Sequence, residues 1–317
     1  MKPIVSRESM KKRNLRFVII PKCAHPWADE VHKGAKAQAS LLSEQLGIDV
    51  VVDYLAPSCA GLDEQNSALE SAAATGPDGI AVDPVDAVDD MPSIRKIRHR
   101  GMPIILFDSP SPEPGMTSVG NDFAQQGTMA AERLAGLIGG RGKVAIMRGF
   151  PSAPNHKQRY EAQVAVLSAH AGISIVDGGS DNDDIETAEQ QAAAVLGANP
   201  DLRGYLCCDA AGPIGIAAAI RKAGRIGEVV AVGIDGIRPI LEAVKEGIIE
   251  SSAATIPAMQ GSMSILMLWQ ASLGVPIPQR VDTGIDLITP GNVDSFLVRT
   301  QPPYEAPGPG AEAARPD

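Results

Sequence analysis

Residues 17–39 read FVIIPKCAHPWADEVHKGAKAQA. The apolar run FVII stops at Pro21, and a helical pattern begins a few residues later. In this pattern Trp27, Val31 and Ala35 recur at the spacing of one helix face. A buried strand that leads directly into an amphipathic helix is typical of a βαβ unit. The stretch therefore predicts an α/β fold with a parallel sheet.

The same order of short apolar runs and helical patterns continues through most of the chain. A second amphipathic pattern follows residue 122, with Phe123, Ala130, Leu134 and Ile138 on one face. Strands that are apolar throughout predict a parallel sheet covered by helices on both faces. The predicted strands are Arg16–Ile20, Asp49–Tyr54, Gly79–Val82, Pro103–Phe107, Lys143–Met147, Ser174–Val176, Gly204–Cys208 and Val229–Ile234.

Two pairs of segments indicate that this order occurs twice. GPDGIAVDP (76–84) resembles NPDLRGYLCCD (199–209), and GMPIILFD (101–108) resembles GEVVAVGID (227–235). Each pair falls at the third and fourth strand of its half. The chain is therefore predicted to form two similar open α/β sheets in tandem, divided near residues 120–141. Three further elements are surplus to the second half and are free to pair back with the first: a strand at SSAATI (251–256), a helix at MQGSMSILMLWQAS (259–272) and a short strand at GIDLIT (284–289).

Composition limits the functions to consider. The 317 residues carry a net charge of -10, and nucleic-acid binders normally present a basic face instead. The four cysteines form no CxxC pair, and no run of 18 apolar residues predicts a membrane-spanning helix. The apolar run near the basic N-terminus has about five residues, which is too short for the core of a signal peptide.

Polar side chains collect where the predicted strands end, the edge at which open parallel sheets bind ligands. Each of these residues also has a structural interpretation, as the N-cap of a helix, a core side chain or part of a solvated helix face. The strand-end residues are Lys22, His25, Trp27, Asp83, Asp108, Asn121, Asp122, Phe123, Asn155, His156, Lys157, Arg159, Asp209 and Asp235.

These residue types suit a polyhydroxylated ligand. Carboxylates accept hydrogen bonds from hydroxyl groups, Lys and Arg donate to hydroxyl and ring oxygens, and an aromatic ring covers the apolar face of a sugar. The chain contains no GxSxG, Walker A or HExxH motif, and its only glycine-rich turn, GGRGK (139–143), precedes a strand. We therefore expect no catalytic residues, no metal and no cofactor, with an unusual sugar-converting enzyme as an alternative.

Across Leu15 to about Phe296 the chain resembles the periplasmic sugar-binding proteins of ABC transporters, the ribose-binding-like type I family. The resemblance rests on the order and spacing of FVIIPKCAHPWADEVHKGAKAQA, PDGIAVDPVDA, GMPIILFDS, SVGNDFAQQG, NPDLRGYLCCD, VVAVGIDG and VDTGIDLITPGNVDSF. It implies two Rossmann-like lobes, joined by three hinge crossings, that close like a venus flytrap. It also implies a sugar-like ligand, a membrane permease as partner, a monomer that binds no nucleic acid, and a periplasmic location, although this chain carries no leader.

The resemblance also implies boundaries and site residues. Residues 1–14 would be an extension, 15–121 with 258–286 the N-terminal lobe, 122–257 with 287–300 the C-terminal lobe, and 301–317 a disordered tail. The chain departs from the family pattern at His25 and Ala28, and Arg159 competes with Lys157 for the family's arginine. The predicted ligand-binding residues are Lys22, His25, Trp27, Asp108, Asp122, Phe123, Asn155, Lys157, Asp209 and Asp235.

The resemblance leaves the ligand and the signalling role open. Lys22 and the segment CCDAAG (207–212) are similar to the branch of the family that binds the autoinducer-2 furanose. Another pentose, a deoxyhexose or a polyol fits equally well. A sugar-sensing or furanose-sensing receptor domain of a signalling system is therefore the alternative function.

Overall fold

A computed structural model describes residues 14–86 and 88–299, with the side chain of Arg299 excluded. The predicted tail and all but the last residue of the predicted N-terminal extension lie outside this range. The strands are β1 (Leu15–Ile20), β2 (Val50–Tyr54), β3 (Gly79–Val82), β4 (Ile104–Phe107), β5 (Ser118–Gly120), β6 (Arg141–Arg148), β7 (Gly172–Ser180), β8 (Leu202–Leu206), β9 (Val230–Ile234), β10 (Ser251–Ala254), β11 (Arg280–Asp282) and β12 (Asp286–Ile288). The helices are α1 (Pro26–Leu46), α2 (Leu62–Ala74), α3 (Met91–His99), α4 (Phe123–Leu137), α5 (Pro154–Ser168), α6 (Ile185–Ala198), α7 (Ala211–Lys222), α8 (Arg238–Lys245), α9 (Pro257–Ser272) and α10 (Val293–Arg299).

The strands form two sheets with the same internal order. The first sheet runs β11-β5-β4-β3-β1-β2 and the second runs β12-β10-β9-β8-β6-β7. Within the described residues the pairings are parallel, apart from the antiparallel pairing of β12 with β10. The two-lobed α/β fold predicted from the repeated segments is thereby confirmed.

The chain passes between the two sheets three times. It leaves the first sheet after β5, returns to it after β10, and crosses again between β11 and β12. Helix α9, which follows the second crossing, packs against α1 of the first lobe. These three connections are the predicted hinge crossings.

Two short strands, β5 and β11, were not predicted from the sequence. Strand β5 contains a serine and a glycine, and β11 is a three-residue edge strand whose side chains are largely exposed. Neither strand presents a continuous apolar run, the pattern from which most of the other strands were predicted. They pair with each other at the edge of the first sheet beside the hinge.

The local sequence explains why strand β1 ends and helix α1 begins where they do. Residues 17–20 of β1 are fully buried, so the apolar run ends where the strand leaves the core. His25 is the N-cap of α1, and Pro26 occupies a first-turn position that needs no amide donor. Gly47 ends the helix in the left-handed conformation, with φ of 67°, and its amide donates to Ser43 O.

Glycines bring helices into close contact in both lobes. A Cβ atom on Gly34 of α1 would lie 1.8 Å from the carbonyl oxygen of Ala258 in α9. In the second lobe, a Cβ atom on Gly127 of α4 would lie 2.4 Å from the carbonyl oxygen of Arg159 in α5. These contacts hold α1 against α9 and α5 against α4.

The interior of each lobe is aliphatic, as the low aromatic content requires. Cys207 and Cys208 are both buried in the core of the second lobe, and all four cysteines are free thiols. Among the described residues, no helix combines the length and the apolar character needed to cross a bilayer.

Candidate functional site

A cavity between the lobes lies at the carboxyl ends of strands from both sheets. It comprises about 390 Å³ of space not filled by protein atoms, part of which is open to solvent. Its lining is polar and comes from both lobes. The lining residues are Pro21, Lys22, Cys23, His25, Trp27, Ala28, Asp83, Asp108, His156, Arg159, Asp183, Asp209, Ala210 and Asp235.

Four aspartates occupy matching positions in the two halves. Asp83 follows β3 and Asp209 follows β8, while Asp108 follows β4 and Asp235 follows β9. All four are buried and line the cavity. Asp108 and Asp235 share a left-handed backbone, with φ of 44° and 69°, a conformation in which aspartate is better tolerated than most residues. The repeated segments therefore place two carboxyl groups from each lobe in the same cavity.

Lys22 and Asp83 form a buried ion pair in the first lobe. Lys22 Nζ donates to Asp83 Oδ2 at 2.6 Å, and it lies 4.0 Å from Asp108 Oδ2. Burial alone would lower the pKa of Lys22, but the carboxylates of Asp83, Asp108 and Asp183 outweigh it and raise the pKa. Lys22 is therefore a charged donor. Burial raises the pKa of Asp83 well above its usual range, and the charge of Lys22 opposes this rise.

His25 and Trp27 are both fixed at the start of α1. His25 Nδ1 accepts from the backbone amide of Trp27 at 3.1 Å, so the hydrogen of the neutral ring lies on Nε2, which is buried without a partner. Trp27 is 7% exposed, and its indole Nε1 donates to Thr255 Oγ1 of the second lobe at 3.0 Å. Trp27 is thus a core residue and a cavity wall at once.

Asp108 connects the lobes. Its Oδ2 accepts from Asn155 Nδ2 at 2.6 Å, and its Oδ1 accepts from Gln260 Nε2 at 3.1 Å. Arg159 Nη2 lies 3.9 Å from the same Oδ1. Because Asn155 belongs to the second lobe, the bond between Asn155 and Asp108 joins the two lobes directly.

Arg159 is the principal cation of the second lobe. It is 2% exposed, and its Nε donates to Gln126 Oε1 at 2.7 Å while its Nη1 donates to Cys208 O at 3.0 Å. The guanidinium lies 5.0 Å from the ring centre of Phe123, a cation–π distance. The remaining nitrogen, Nη2, has no hydrogen-bond partner.

His156, Asp183 and Asp209 form the second-lobe wall of the cavity, opposite a first-lobe wall made by Lys22, His25 and Asp83. His156 Nδ1 accepts from the Phe150 amide at 2.9 Å, so its Nε2 carries the hydrogen and faces Asp183 Oδ1 at 3.7 Å. Burial lowers the pKa of His156 to about 3 despite the nearby Asp183. The imidazole is therefore neutral.

The two carboxylate oxygens of Asp209 have different surroundings. Its Oδ1 accepts from the Gly212 amide at 2.8 Å in the first turn of α7, and its Oδ2 has no partner. Behind it lies Asp181, where burial and the negative charge of Asp209 raise the pKa to about 12. Asp181 is therefore protonated, and its hydrogen is available to the neighbouring Asp209 side chain.

The three residues of the second-lobe wall also meet a distance criterion for a metal site, because their ligand atoms lie within 4.8 Å of one another. However, Nδ1 of His156 is occupied as an acceptor and Nε2 carries the hydrogen. Metal-ligating histidines normally donate through the other ring nitrogen. The wall is therefore poorly arranged for a metal ion.

The predicted site residues fall into three groups. Lys22, His25, Trp27, Asp108, Asp209 and Asp235 line the cavity, and Asn155 lies directly behind them on Asp108. Phe123 is buried beneath Arg159, and Asp122 caps α4 by accepting from the Gln125 amide. Lys157 does not line the cavity. Its side chain is 65% exposed, and its Nζ lies 4.0 Å from Glu161 Oε1.

The structure adds four residues that were not among the predicted site residues, namely Asp83, His156, Arg159 and Asp183. The first three did appear among the strand-end residues in the sequence. For Asp83 the structural interpretation was a helix N-cap, but its carboxylate accepts from Lys22. Asp183 gave no signal, because it follows β7 in a polar turn and enters the cavity through a left-handed backbone, with φ of 62°.

Four lining residues present buried polar atoms with no hydrogen-bond partner. Each lobe supplies one donor and one acceptor: His25 Nε2 and Asp83 Oδ1 from the first, and Arg159 Nη2 and Asp209 Oδ2 from the second. Unpaired buried polar groups are costly, and native proteins rarely leave them unsatisfied without a reason. The cavity is therefore built to receive a molecule that both donates and accepts hydrogen bonds.

Comparison with known proteins identifies one protein family and related sugar-binding proteins. The family described as "Periplasmic binding protein domain" matches residues 17–274. The chain is 27% identical over 232 residues to the D-ribose/D-allose-binding protein of Pseudomonas aeruginosa, an alignment that covers 70% of this chain and 72% of that protein.

Solved structures agree in fold over almost the whole chain. A sugar ABC transporter (sugar-binding protein) from Bacillus halodurans is 28% identical, with a TM-score of 0.77, and the match covers 90% of this chain and 100% of that one. An ABC transporter solute-binding protein from Agrobacterium vitis, bound to alpha-D-tagatopyranose, is 25% identical, with a TM-score of 0.83 and coverage of 90% and 98%. The names of these relatives describe binding proteins and not enzymes.

Proposed function

Because the chain belongs to the periplasmic binding protein domain family, which its residues 17–274 match, we propose that it is the substrate-binding protein of a sugar ABC transporter. It binds a monosaccharide, or a related polyol or furanose, between its lobes and delivers it to a membrane permease. It acts in the periplasm as a binding protein and not as an enzyme.

One observation carries this proposal: in each lobe, the residues that line the same cavity include one with an unpaired buried donor and one with an unpaired buried acceptor. A hydroxyl group is both donor and acceptor, so a ring or chain of hydroxyls can satisfy all four atoms at once. A ligand that reaches His25 and Asp83 on one side and Arg159 and Asp209 on the other stabilises the closed arrangement of the lobes.

Trp27 supports a sugar over a less polar ligand. Its ring lines the cavity and is held in place by the bond from Nε1 to Thr255 Oγ1. A fixed aromatic face covers the C–H groups of a sugar ring, while the surrounding carboxylates take its hydroxyls. The lining has few apolar side chains beyond Trp27, so a purely apolar ligand has little to bind.

Isothermal titration calorimetry against a panel of pentoses, hexoses and polyols tests the proposal. We expect saturable heat with at least one neutral compound. Asp235→Asn should weaken that binding at least tenfold, because it removes a charge from the cavity while keeping the acceptor for Thr255 and tolerating the left-handed backbone. Lys157→Met, outside the cavity, is the matched control and should bind normally. No heat with any compound in the panel would contradict the proposal.

A further inference from the structure

The charges that line the cavity do not balance. Two cationic residues, Lys22 and Arg159, face five aspartates, and burial raises the pKa of two of these, Asp83 and Asp235. Lys22 is paired with Asp83 at 2.6 Å, and Arg159 lies nearest to Asp108, at 3.9 Å. The carboxylates left without a cationic partner at ion-pair distance include Asp183 and Asp209, both in the second-lobe wall.

Among the described residues no Lys or Arg lies at ion-pair distance from this wall, although the charge of Lys22 across the cavity interacts with that of Asp183. His156 is neutral, because its Nδ1 accepts from the Phe150 amide, and the hydrogen on Nε2 lies toward Asp183 at 3.7 Å. Asp181 touches the wall from behind and holds a proton, so it adds no charge of either sign. Across the cavity, Lys22 already donates to Asp83.

A second observation points to a ligand at this position. Asp209 lines the cavity and is 2% exposed; apart from the protonated Asp181 behind the wall, its Oδ2 has no hydrogen-bond donor among the described residues. The ligand atoms of His156, Asp183 and Asp209 lie within 4.8 Å of one another, so one small group can contact both carboxylates. Buried charges are normally paired with an opposite charge.

We propose that the second-lobe wall binds an ammonium group, so that the preferred ligand is an amino sugar or amino polyol. This inference rests on the proposed sugar-binding function of the same cavity. An ammonium group carries up to three N–H donors, enough to reach Asp183 and Asp209 together while the hydroxyls of the ligand meet the first-lobe wall. The hydrogen on His156 Nε2 favours an organic cation over a metal ion, because that nitrogen has no lone pair to offer.

Matched pairs of ligands test this inference by calorimetry near neutral pH with EDTA present. The pairs are galactosamine with galactose, glucosamine with glucose, and glucamine with sorbitol. We expect at least one amine to bind at least tenfold more tightly than its neutral parent. Asp183→Asn, which keeps the size of the side chain, should reduce that preference to about threefold or less. Glu161→Gln, an exposed charge change on α5, should leave the preference intact.

The possible outcomes separate this inference from the proposed function. If parents bind as tightly as the amines or more tightly, the ammonium subsite is wrong and the sugar-binding function stands. If neither amines nor parents give heat, the sugar-binding function fails as well. If Asp183→Asn and Glu161→Gln reduce the preference for the amine equally, the preference arises from the overall negative charge of the protein and the second-lobe wall is not the subsite.

A separate titration tests for a metal. If Ca²⁺ or Zn²⁺ alone binds without EDTA, and Asp183→Asn abolishes this binding, the second-lobe wall is a metal site and the inference is overturned.

Discussion

The two walls of the cavity face each other with similar residues and different electrostatics. In the first-lobe wall, Lys22 donates to Asp83 and the charges cancel locally. In the second-lobe wall, Asp183 and Asp209 stand beside a neutral His156, and no cation of the wall compensates them. In each lobe, a helix that contributes to its wall, α1 or α5, is in close contact with a neighbouring helix at a glycine. The first-lobe wall therefore contains its own ion pair, whereas the second-lobe wall is the proposed site for the ammonium group of the ligand.

The largest effect is expected when the balance of the first-lobe wall is broken. Lys22→Met leaves Asp83 buried beside a methionine, and breaking a buried ion pair on one side costs about 3–5 kcal/mol. We expect the free energy of unfolding, measured with urea, to fall by about that amount. The double variant Lys22→Met with Asp83→Leu should recover part of the loss. A single variant as stable as wild type would show that the pair is not charged.

The second-lobe wall should make stability depend on pH. His156 has a lowered pKa of about 3 in the folded protein, so the unfolded chain takes up a proton near its ordinary pKa while the folded protein does not. Stability is therefore retained above about pH 6.5 and is lost by about 1.4 kcal/mol per unit as pH falls below it. His156→Asn keeps an acceptor for the Phe150 amide and removes this titration.

Urea unfolding of wild type and His156→Asn at several pH values from about 6.5 to 4.5 checks the pH prediction. The difference between the two proteins isolates His156, because other titrating groups such as Asp90 are common to both. Burial raises the pKa of Asp90 to about 6, which acts in the opposite direction as pH falls. Parallel pH profiles for the two proteins would contradict a neutral, buried His156.

Overpacking the glycine contact between helices should destabilise the protein by a similar amount in either lobe. Gly34→Ala forces a methyl group toward the Ala258 carbonyl, and Gly127→Ala forces one toward the Arg159 carbonyl. Overpacking of this kind costs about 1–3 kcal/mol, and we expect a loss in that range from each variant in thermal or urea unfolding. Gly136→Ala on α4 is the control, since its Cβ meets nothing within 4 Å, and it should stabilise by up to about 1 kcal/mol. A large loss in only one lobe would undermine the claim of equivalent packing.

The smallest effect on folding is expected for Asp183→Asn. The substitution removes one of two neighbouring negative charges and keeps the shape of the side chain. Stability should change by less than about 1 kcal/mol, with any change toward greater stability, because like charges at this distance repel. A loss comparable to that of Lys22→Met would mean that Asp183 already has a cationic partner and that the two walls are alike.

The sequence predicted the fold more completely than the site. The repeated segments and continuous apolar strands were sufficient for two parallel sheets, and the family predicted from the ordered motifs is confirmed by the match over residues 17–274. Strands β5 and β11 were not predicted because they are short and lack an apolar pattern. Their pairing with each other near the hinge is visible only in the structure.

The site was harder to predict because helix register decides which side chain faces the cavity. Lys157 and Arg159 are two residues apart on α5, and the structure turns Arg159 inward over Phe123 and Lys157 toward solvent. Asp183 depends on two successive left-handed residues, Asn182 and Asp183, a backbone choice that no spacing rule reveals. The strand-end rule placed carboxylates correctly at the cavity edge, but it could not assign their partners.

Trp27 offers the most direct test that a small polyhydroxylated ligand binds between the lobes. The chain has two tryptophans, so Trp269→Phe leaves Trp27 as the sole indole reporter at the cavity. Titrating this variant with the sugar, polyol and amino-sugar panel should give a saturable change in Trp27 fluorescence, with a midpoint equal to the calorimetric dissociation constant. Saturable heat without any change at Trp27 would place the ligand elsewhere and contradict the account.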